Sequence, residues 1–266
     1  MGQFNGFDFI YNDIPSQTYG LYISDFGDSG VFNGVGSSDV TVYTQQVLRK
    51  AKVYYLGRSQ STPLQFNMTF NSDTPLLGME RAVISNWLFG KPSYKKLQIL
   101  QDDLNGAWFN CFLTKPTPIY VGNLNRGFSC TVMADSPFAY SPLRTTAKTY
   151  SGNNVITDDF VLYNDSDDED YLYPNITFSL NTVGNSFSIT NADDANREFL
   201  FTGLSASESI VINGDLQTIT SSTGLHRLSK FNKHWLRLVP GKNSLHVESG
   251  IGSFSISFYS RIKIGG

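Results

Sequence analysis

Charge is scarce in this chain. Only 16% of its 266 residues are Asp, Glu, Lys or Arg, and 20 basic groups against 23 acidic ones leave a net charge of −3. Soluble domains of average composition carry roughly 25%. A slightly acidic chain does not bind nucleic acid by bulk positive charge. Cysteine is nearly missing, at two residues, which excludes a disulfide scaffold. Cys111 sits in Phe109-Asn110-Cys111-Phe112-Leu113 and Cys130 in Phe128-Ser129-Cys130-Thr131-Val132. With a side-chain period of two, each shares a face with apolar neighbours and reads as a buried free thiol. Their spacing does not support a bridge between them. No run approaches the ~18 to 20 apolar residues that span a bilayer. The start, Met1-Gly2-Gln3-Phe4-Asn5-Gly6-Phe7-Asp8-Phe9, has no cationic region leading into an apolar one. It does not read as a secretory signal, and synthesis in a cytoplasm is expected.

What the chain does have is aromatic surface and turns: 14% aromatics, with 20 Phe and 14 Tyr, beside 23 Gly. That composition suits strands and tight turns, not helical bundles, and 40% hydrophobic residues exclude intrinsic disorder. One segment has helical periodicity. Asp73-Thr74-Pro75 offers a cap and a first-turn proline, and Leu76, Leu77, Val83, Ile84, Trp87 and Leu88 recur at three- and four-residue steps before Gly90 stops the run. Elsewhere the first block alternates, through Val40 and Val42, Val53 and Tyr55, then Leu64, Phe66, Met68 and Phe70. Residues 24–39 are polar and Gly-rich, a long loop expected to contact a partner.

Beyond 171 the pattern is all strand. Period two runs through Ile176, Phe178 and Leu180, Phe187 and Ile189, Ile210 and Ile212, Trp235 to Val239, and Phe254, Ile256 and Phe258. Asn213-Gly214 is a hairpin signal, and Pro240-Gly241 fits the centre of a type II turn. Between the blocks, residues 151–170 hold seven acids (Asp158, Asp159, Asp165, Asp167, Asp168, Glu169 and Asp170) and no Lys or Arg. Clustered like charge repels itself and prefers solvent. The expected organisation is a domain at 1–145, an acidic linker at 146–170 and a β-sandwich at 171–266.

A reactive constellation is hard to assemble. The histidines His226, His234 and His246 are not four apart on a helix, so the metalloprotease pattern is missing. Counting from Asp165, the sixth residue is Asp170 where an EF-hand calcium loop needs glycine, and the twelfth is Ile176 where it needs glutamate. Gly30 to Ser38 has the glycines of a phosphate-binding loop, but a strand pattern follows where a helix is required. There is no Gly-x-Ser-x-Gly elbow, and neither cysteine has a histidine or lysine beside it in sequence. Asp193, Asp194 and Glu198 are the compact acids outside the linker. Glycosidase carboxylates face each other across about 5 to 9 Å, a separation that sequence does not fix. Trp235, Tyr171, Tyr173 and His234 are candidates for a sugar-stacking platform, although Trp235 also fits a core or core-flanking position. Arg49, Lys50, Lys52 and Arg58 surround Val53-Tyr54-Tyr55, a basic strand pair that suits a solvated or subunit-contacting hairpin better than passing nucleic acid. No catalytic, cofactor-binding or metal-ligating residue is assigned, and no cofactor is expected.

Phe4-Asn5-Gly6 and Gly20-Leu21-Tyr22-Ile23 open the chain, and a helix ending in Trp87-Leu88 follows. Asp135-Ser136-Pro137-Phe138-Ala139-Tyr140 closes the first domain. Tyr173-Pro174-Asn175-Ile176 opens the second, which carries Leu236-Arg237-Leu238-Val239-Pro240-Gly241-Lys242-Asn243. In this order and spacing, and with no catalytic site between them, these segments resemble the distal tail protein family of long, flexible-tailed bacteriophages. The resemblance implies a mainly β chain: an N-terminal β-sandwich with one α-helix and a projecting β-hairpin, then a C-terminal lectin- or galectin-like β-sandwich. In such proteins the last strand can return to the first domain. The implied role is that of a virion protein made in the host bacterial cytoplasm, not an enzyme. Six copies would form a ring joining the tail tube to the tail-tip hub, with a channel for DNA passing without sequence-specific contact. Implied partners are the tail tube protein, the hub or tail-associated protein, a receptor-binding protein and a host glycan, with no membrane. The alternatives from other classes are a carbohydrate-binding module that attaches to the host surface and a polysaccharide-degrading tail enzyme.

Overall fold

A computed structural model describes residues 8–25, 41–59, 62–150, 156–181 and 185–264. It contains two units. One runs to Ser141 and resumes at Ile262; the other extends from Pro142 to Arg261.

The first unit contains β1 (Phe9–Tyr11), β2 (Ile14–Pro15), β3 (Leu21–Asp25), β4 (Thr41–Gln46), β5 (Val53–Ser59), β6 (Gln65–Ser72), the helix α1 (Gly78–Phe89), β7 (Lys95–Ile99), β8 (Trp108–Val121), β9 (Leu124–Ala134) and β10 (Ala139–Tyr140). Antiparallel pairing orders one sheet as β2-β1-β7-β8-β9-β6-β3, with β10 beside β8. Alternate positions of β6, β8 and β9 face one core: Met68, Phe70, Phe109, Cys111, Leu113, Phe128, Cys130 and Val132 are all buried, as a strand period of two requires. Ile262 and Ile264 from the chain end pack on the same core.

Helix α1 lies on this core. Trp87 donates from its indole Nε1 to the Tyr11 carbonyl at 3.0 Å and stacks on Phe9, with ring centroids 5.9 Å apart. Its start differs from the sequence expectation. Leu77 is the N-cap, Pro75 precedes the helix, and Leu77 and Val83 face solvent while Ile84, Trp87 and Leu88 are buried. At about 100° per residue these three fill one narrow apolar stripe, and Val83 falls outside it.

The second unit contains β11 (Arg144–Thr149), β12 (Ile156–Asn164), β13 (Asn175–Leu180), β14 (Phe187–Asn191), β15 (Arg197–Phe201), β16 (Ser209–Asn213), β17 (Thr218–Ser221), β18 (Gly241–Ser249) and β19 (Ile251–Phe258); β20 (Arg261–Ile262) lies where the chain leaves it. Two sheets, β11-β19-β13-β16-β17 and β12-β18-β14-β15, enclose an aromatic core. Phe178 of the first sheet stacks on Phe187 of the second with ring centroids 4.1 Å apart. The molecule is mainly β, and two antiparallel sheets form the sandwich expected of its second half.

Three local expectations need correction. Much of the stretch taken as an acidic linker is strand: β11 pairs with β19, and β12 pairs with β18 over nine residues. Leu162 turns inward while Asp159 points out, and Asp158, on the inward parity, is half-buried and paired with Lys148. Residues 235–239 form no sheet strand; their extended run is held by the isolated Leu172–Leu238 bridge and by side chains. Asn213 pairs with Thr218, so the turn spans 214–217 and is longer than a two-residue hairpin. Gly214 is needed there for another reason: a Cβ would lie 2.4 Å from the Tyr173 and Pro174 carbonyl oxygens.

Candidate assembly surface

β4 and β5 form a two-stranded ribbon that belongs to none of the three larger sheets. Their pairing runs from Thr41–Ser59 to Gln46–Val53, with a register shift after Tyr43. The turn is built locally. Arg49 takes a left-handed conformation at φ 66°, Lys50 N donates to the Val47 carbonyl at 3.0 Å, and the Gln46 side-chain amide donates to the Lys50 carbonyl at 3.0 Å. Tyr43 Oη lies 3.1 Å from Ser59 Oγ, and Lys52 Nζ stands 5.5 Å from the Tyr54 ring centre.

Every residue from Thr41 to Leu56 is exposed. Leu48 is 87% exposed, Tyr55 and Leu56 each 63%, and Val42 55%. A hairpin with neither face on a core is marginal in water, and clustered exposed apolar groups mark interaction surfaces. Sequence alternation located these strands, and the basic side chains around them read as a solvated or subunit-contacting hairpin. In Val42-Tyr43 and Val53-Tyr54-Tyr55-Leu56 both parities are apolar, so no solvent face is reserved. The four basic side chains, Arg49, Lys50, Lys52 and Arg58, are exposed on the same ribbon.

Several of the other candidate residues are tied into the second unit's own packing, and the rest are exposed. Asp194 accepts two hydrogen bonds from Arg237, at 2.7 and 2.9 Å, and the Arg237 guanidinium lies 3.8 Å from the Tyr171 ring centre. Asp193 accepts from Ser244 N at 2.5 Å, and Glu198 is exposed. Trp235 is half-buried with its ring against Phe231, Tyr173 is half-buried, and His226 and His234 are exposed. His246 Nδ1 pairs with Asp159 across β12 and β18 at 2.6 Å.

Within the acidic run, Asp165 pairs with Arg144 and Asp168 with Arg261. Lys148 and Tyr150 donate to Asp158 at 2.6 and 2.5 Å. The Lys148 bond first, then the Tyr150 bond, holds this carboxyl below its usual range against its desolvation. Among the described residues no group of three or more His, Cys, Asp or Glu is placed to hold a metal ion, and no helix is long and apolar enough to cross a membrane. Cys111 and Cys130 are buried free thiols. Burial pushes the Cys130 thiol up to about 12 and raises Cys111 as well, which keeps both protonated and unreactive. Residues 26–39 of the Gly-rich loop, the glycine run at 30–38 and the opening Phe4-Asn5-Gly6 lie outside the described residues.

Comparison with known proteins bears on the whole chain. Residues 4–136 match a family described as phage tail protein N-terminal domain, and residues 138–258 match one described as phage tail C-terminal domain. No curated protein matches the sequence. Among solved structures, the chain is similar to the Dit protein of phage SPP1, described as a paradigm of the hub adsorption apparatus of phages infecting Gram-positive bacteria. The TM-score is 0.68 at 11% identity, covering 97% of this chain and 100% of that one. A chain of the phage P2 baseplate, in its activated conformation with calcium, gives a TM-score of 0.61 at 11% identity over 97% and 99% of the two chains. The same baseplate with strontium gives 0.56 at 12% identity over 95% and 97%. At these identities the likeness shows a shared fold across both units.

Proposed function

The chain belongs to the phage tail protein family, and on that premise we propose that it is a distal tail protein of the tail tip. In this reading six copies close into a ring that joins the tail tube to the baseplate hub and leaves a channel for DNA. The work is mechanical: rigid symmetric association, with no bond broken. The observation that carries it is the β4–β5 ribbon, whose apolar side chains reach no core and whose two strands pair with no third strand among the described residues. Such a ribbon needs a protein surface to cover it.

The similarity to the SPP1 and P2 chains along nearly their full length supports the same reading, because both units of the fold are present. Low charge with many Phe and Tyr suits large permanent interfaces, whose centres are depleted of charge and rich in aromatics. The outer sandwich then docks further tail components or a receptor-binding protein. The sugar-platform alternative is weakened by the ties of Tyr171 to Arg237 and of Trp235 to Phe231. Negative-stain images of the purified chain test the reading: six-fold rings with a central hole support it. A field of single particles that neither close on themselves nor assemble onto purified tail tubes contradicts it.

A further inference from the structure

The second unit has one long open edge. β12 pairs with β18 over nine residues without a register shift, and no third strand joins it among the described residues. It holds no Pro or Lys, residues that blunt an edge, and its inward charge, Asp158, is neutralised by Lys148 at 2.6 Å. The molecule's other edges are shorter or closed. β11 has six residues, β17 four and β2 two, and β3 shifts register against β6. β15 is covered on its far side, where Thr202 N donates to the Lys230 carbonyl at 2.9 Å and Asn232 N to the Leu200 carbonyl at 3.0 Å.

Arg144 donates to the Tyr163 carbonyl at 3.5 Å from the open side of β12. Backbone direction alternates along an antiparallel strand, so the peptide groups of Thr157, Asp159, Val161 and Tyr163 face that side. The core is open here as well. Ile156 and Phe160 take inward positions yet are only half-buried, whereas Leu245 and Val247 of β18 and Phe187 and Ile189 of β14 are fully covered. On the outer face the Asp159 side chain is 80% exposed, and Glu248, opposite Thr157, is exposed too. We infer that β12 takes up an added strand from a partner protein, an extended segment with apolar residues on one parity to cover Phe160 and Lys or Arg on the other to meet Asp159 and Glu248. Main-chain bonds supply the affinity of such a contact, and alternate side chains its selectivity. A second copy fits less well, because residues 151–170 bring seven acids and no Lys or Arg to both sides. Strand addition at this edge is independent of ring closure.

Titration of the full chain with a fluorescent, end-blocked peptide, Thr-Val-Thr-Ile-Lys-Val-Lys-Val-Thr, provides the test, read by anisotropy and amide hydrogen exchange. The peptide binds saturably and slows exchange at the Thr157, Val161 and Tyr163 amides. Replacing its two Lys by Glu weakens binding about tenfold. N-methylation at alternate residues abolishes binding on one parity and is tolerated on the other, because only one edge of an added strand faces β12. Val161→Pro removes an amide from the open side, leaves the ladder to β18 intact and abolishes binding, with a matching thermal melt to certify the fold. Asp159→Lys reverses the preference between the Lys and Glu peptides. A wild-type chain that binds neither peptide, or both alike, overturns the inference whether or not it forms rings. So does a Val161→Pro chain that binds as wild type does. A wild-type self-association that Val161→Pro removes also overturns it, since the occupant is then a second copy. Saturable binding of the Lys peptide by a chain that stays monomeric upholds the inference while the ring reading fails.

Discussion

At the scale of single residues, one buried ion pair dominates. Glu208 accepts from Arg227 Nε and Nη2 at 2.7 and 2.8 Å, from Ser221 Oγ at 2.5 Å and from Ser205 N at 2.8 Å, and its side chain is fully covered. Burial alone raises its carboxyl, but the Arg227, Ser221 and Ser205 bonds outweigh it and bring the group down to about 2 from an ordinary 4.5. Removing Arg227 strands a buried charge, so Arg227→Ala lowers stability by about 3 to 5 kcal/mol, read as a shift in the urea midpoint. Because the folded carboxyl is the stronger acid, its stabilisation is complete above pH 4.5 and is lost as pH falls toward 2. The wild-type urea midpoint drops across that window, and Glu208→Gln flattens this part of the profile. None of this was legible in the sequence. Glu208 and Arg227 are 19 residues apart, and no periodicity links them. The buried thiols were legible, because alternation alone places Cys111 and Cys130 among apolar neighbours. Asn243 lies between. It stands in the segment that carried the family resemblance, and its side chain bonds Val239 N, the Val239 and Gly241 carbonyls and Asn191. That wiring fixes the turn in which Gly241 takes φ +85°.

At the scale of elements, periodicity identified strands and helix wherever one face is buried. The helix was found from its three- and four-residue steps, and its anchor is Trp87, packed on Phe9, Tyr11 and Tyr19. Trp87→Ala removes that packing and the bond to Tyr11, and costs about 4 kcal/mol as measured by chemical denaturation. Alternation misled at 235–239, because it reports an extended backbone, not a ladder partner. Residues 235–239 alternate because Leu236 and Leu238 are buried, yet side chains hold the segment, with Arg197 donating to the Trp235 carbonyl at 3.2 Å and Asn191 to the Arg237 carbonyl at 3.0 Å. The ribbon alternates too, but among the described residues nothing covers its faces. Substituting Leu48 and Leu56 by Asp leaves the denaturation midpoint within about 0.5 kcal/mol of wild type, as expected for exposed sites, while abolishing self-association in light scattering.

At the scale of the whole molecule, the division into a helix-bearing first half and an all-strand second half was readable from periodicity. The acidic stretch looked like a linker because charge counts ignore parity. Once Phe160 and Leu162 are seen on the inward positions of β12, Asp159 becomes a solvent-facing strand residue. Two halves matched by phage tail families, a fold shared with the SPP1 Dit protein and an uncovered basic ribbon together form the account, whose central claim is closed association of identical copies. The most direct test is mass in solution by light scattering over a concentration series of the purified chain. The account predicts a plateau at six times the 29.6 kDa chain mass that holds as concentration rises. A mass that stays at one chain throughout even when purified tail tubes are added, or that climbs without limit, would contradict it.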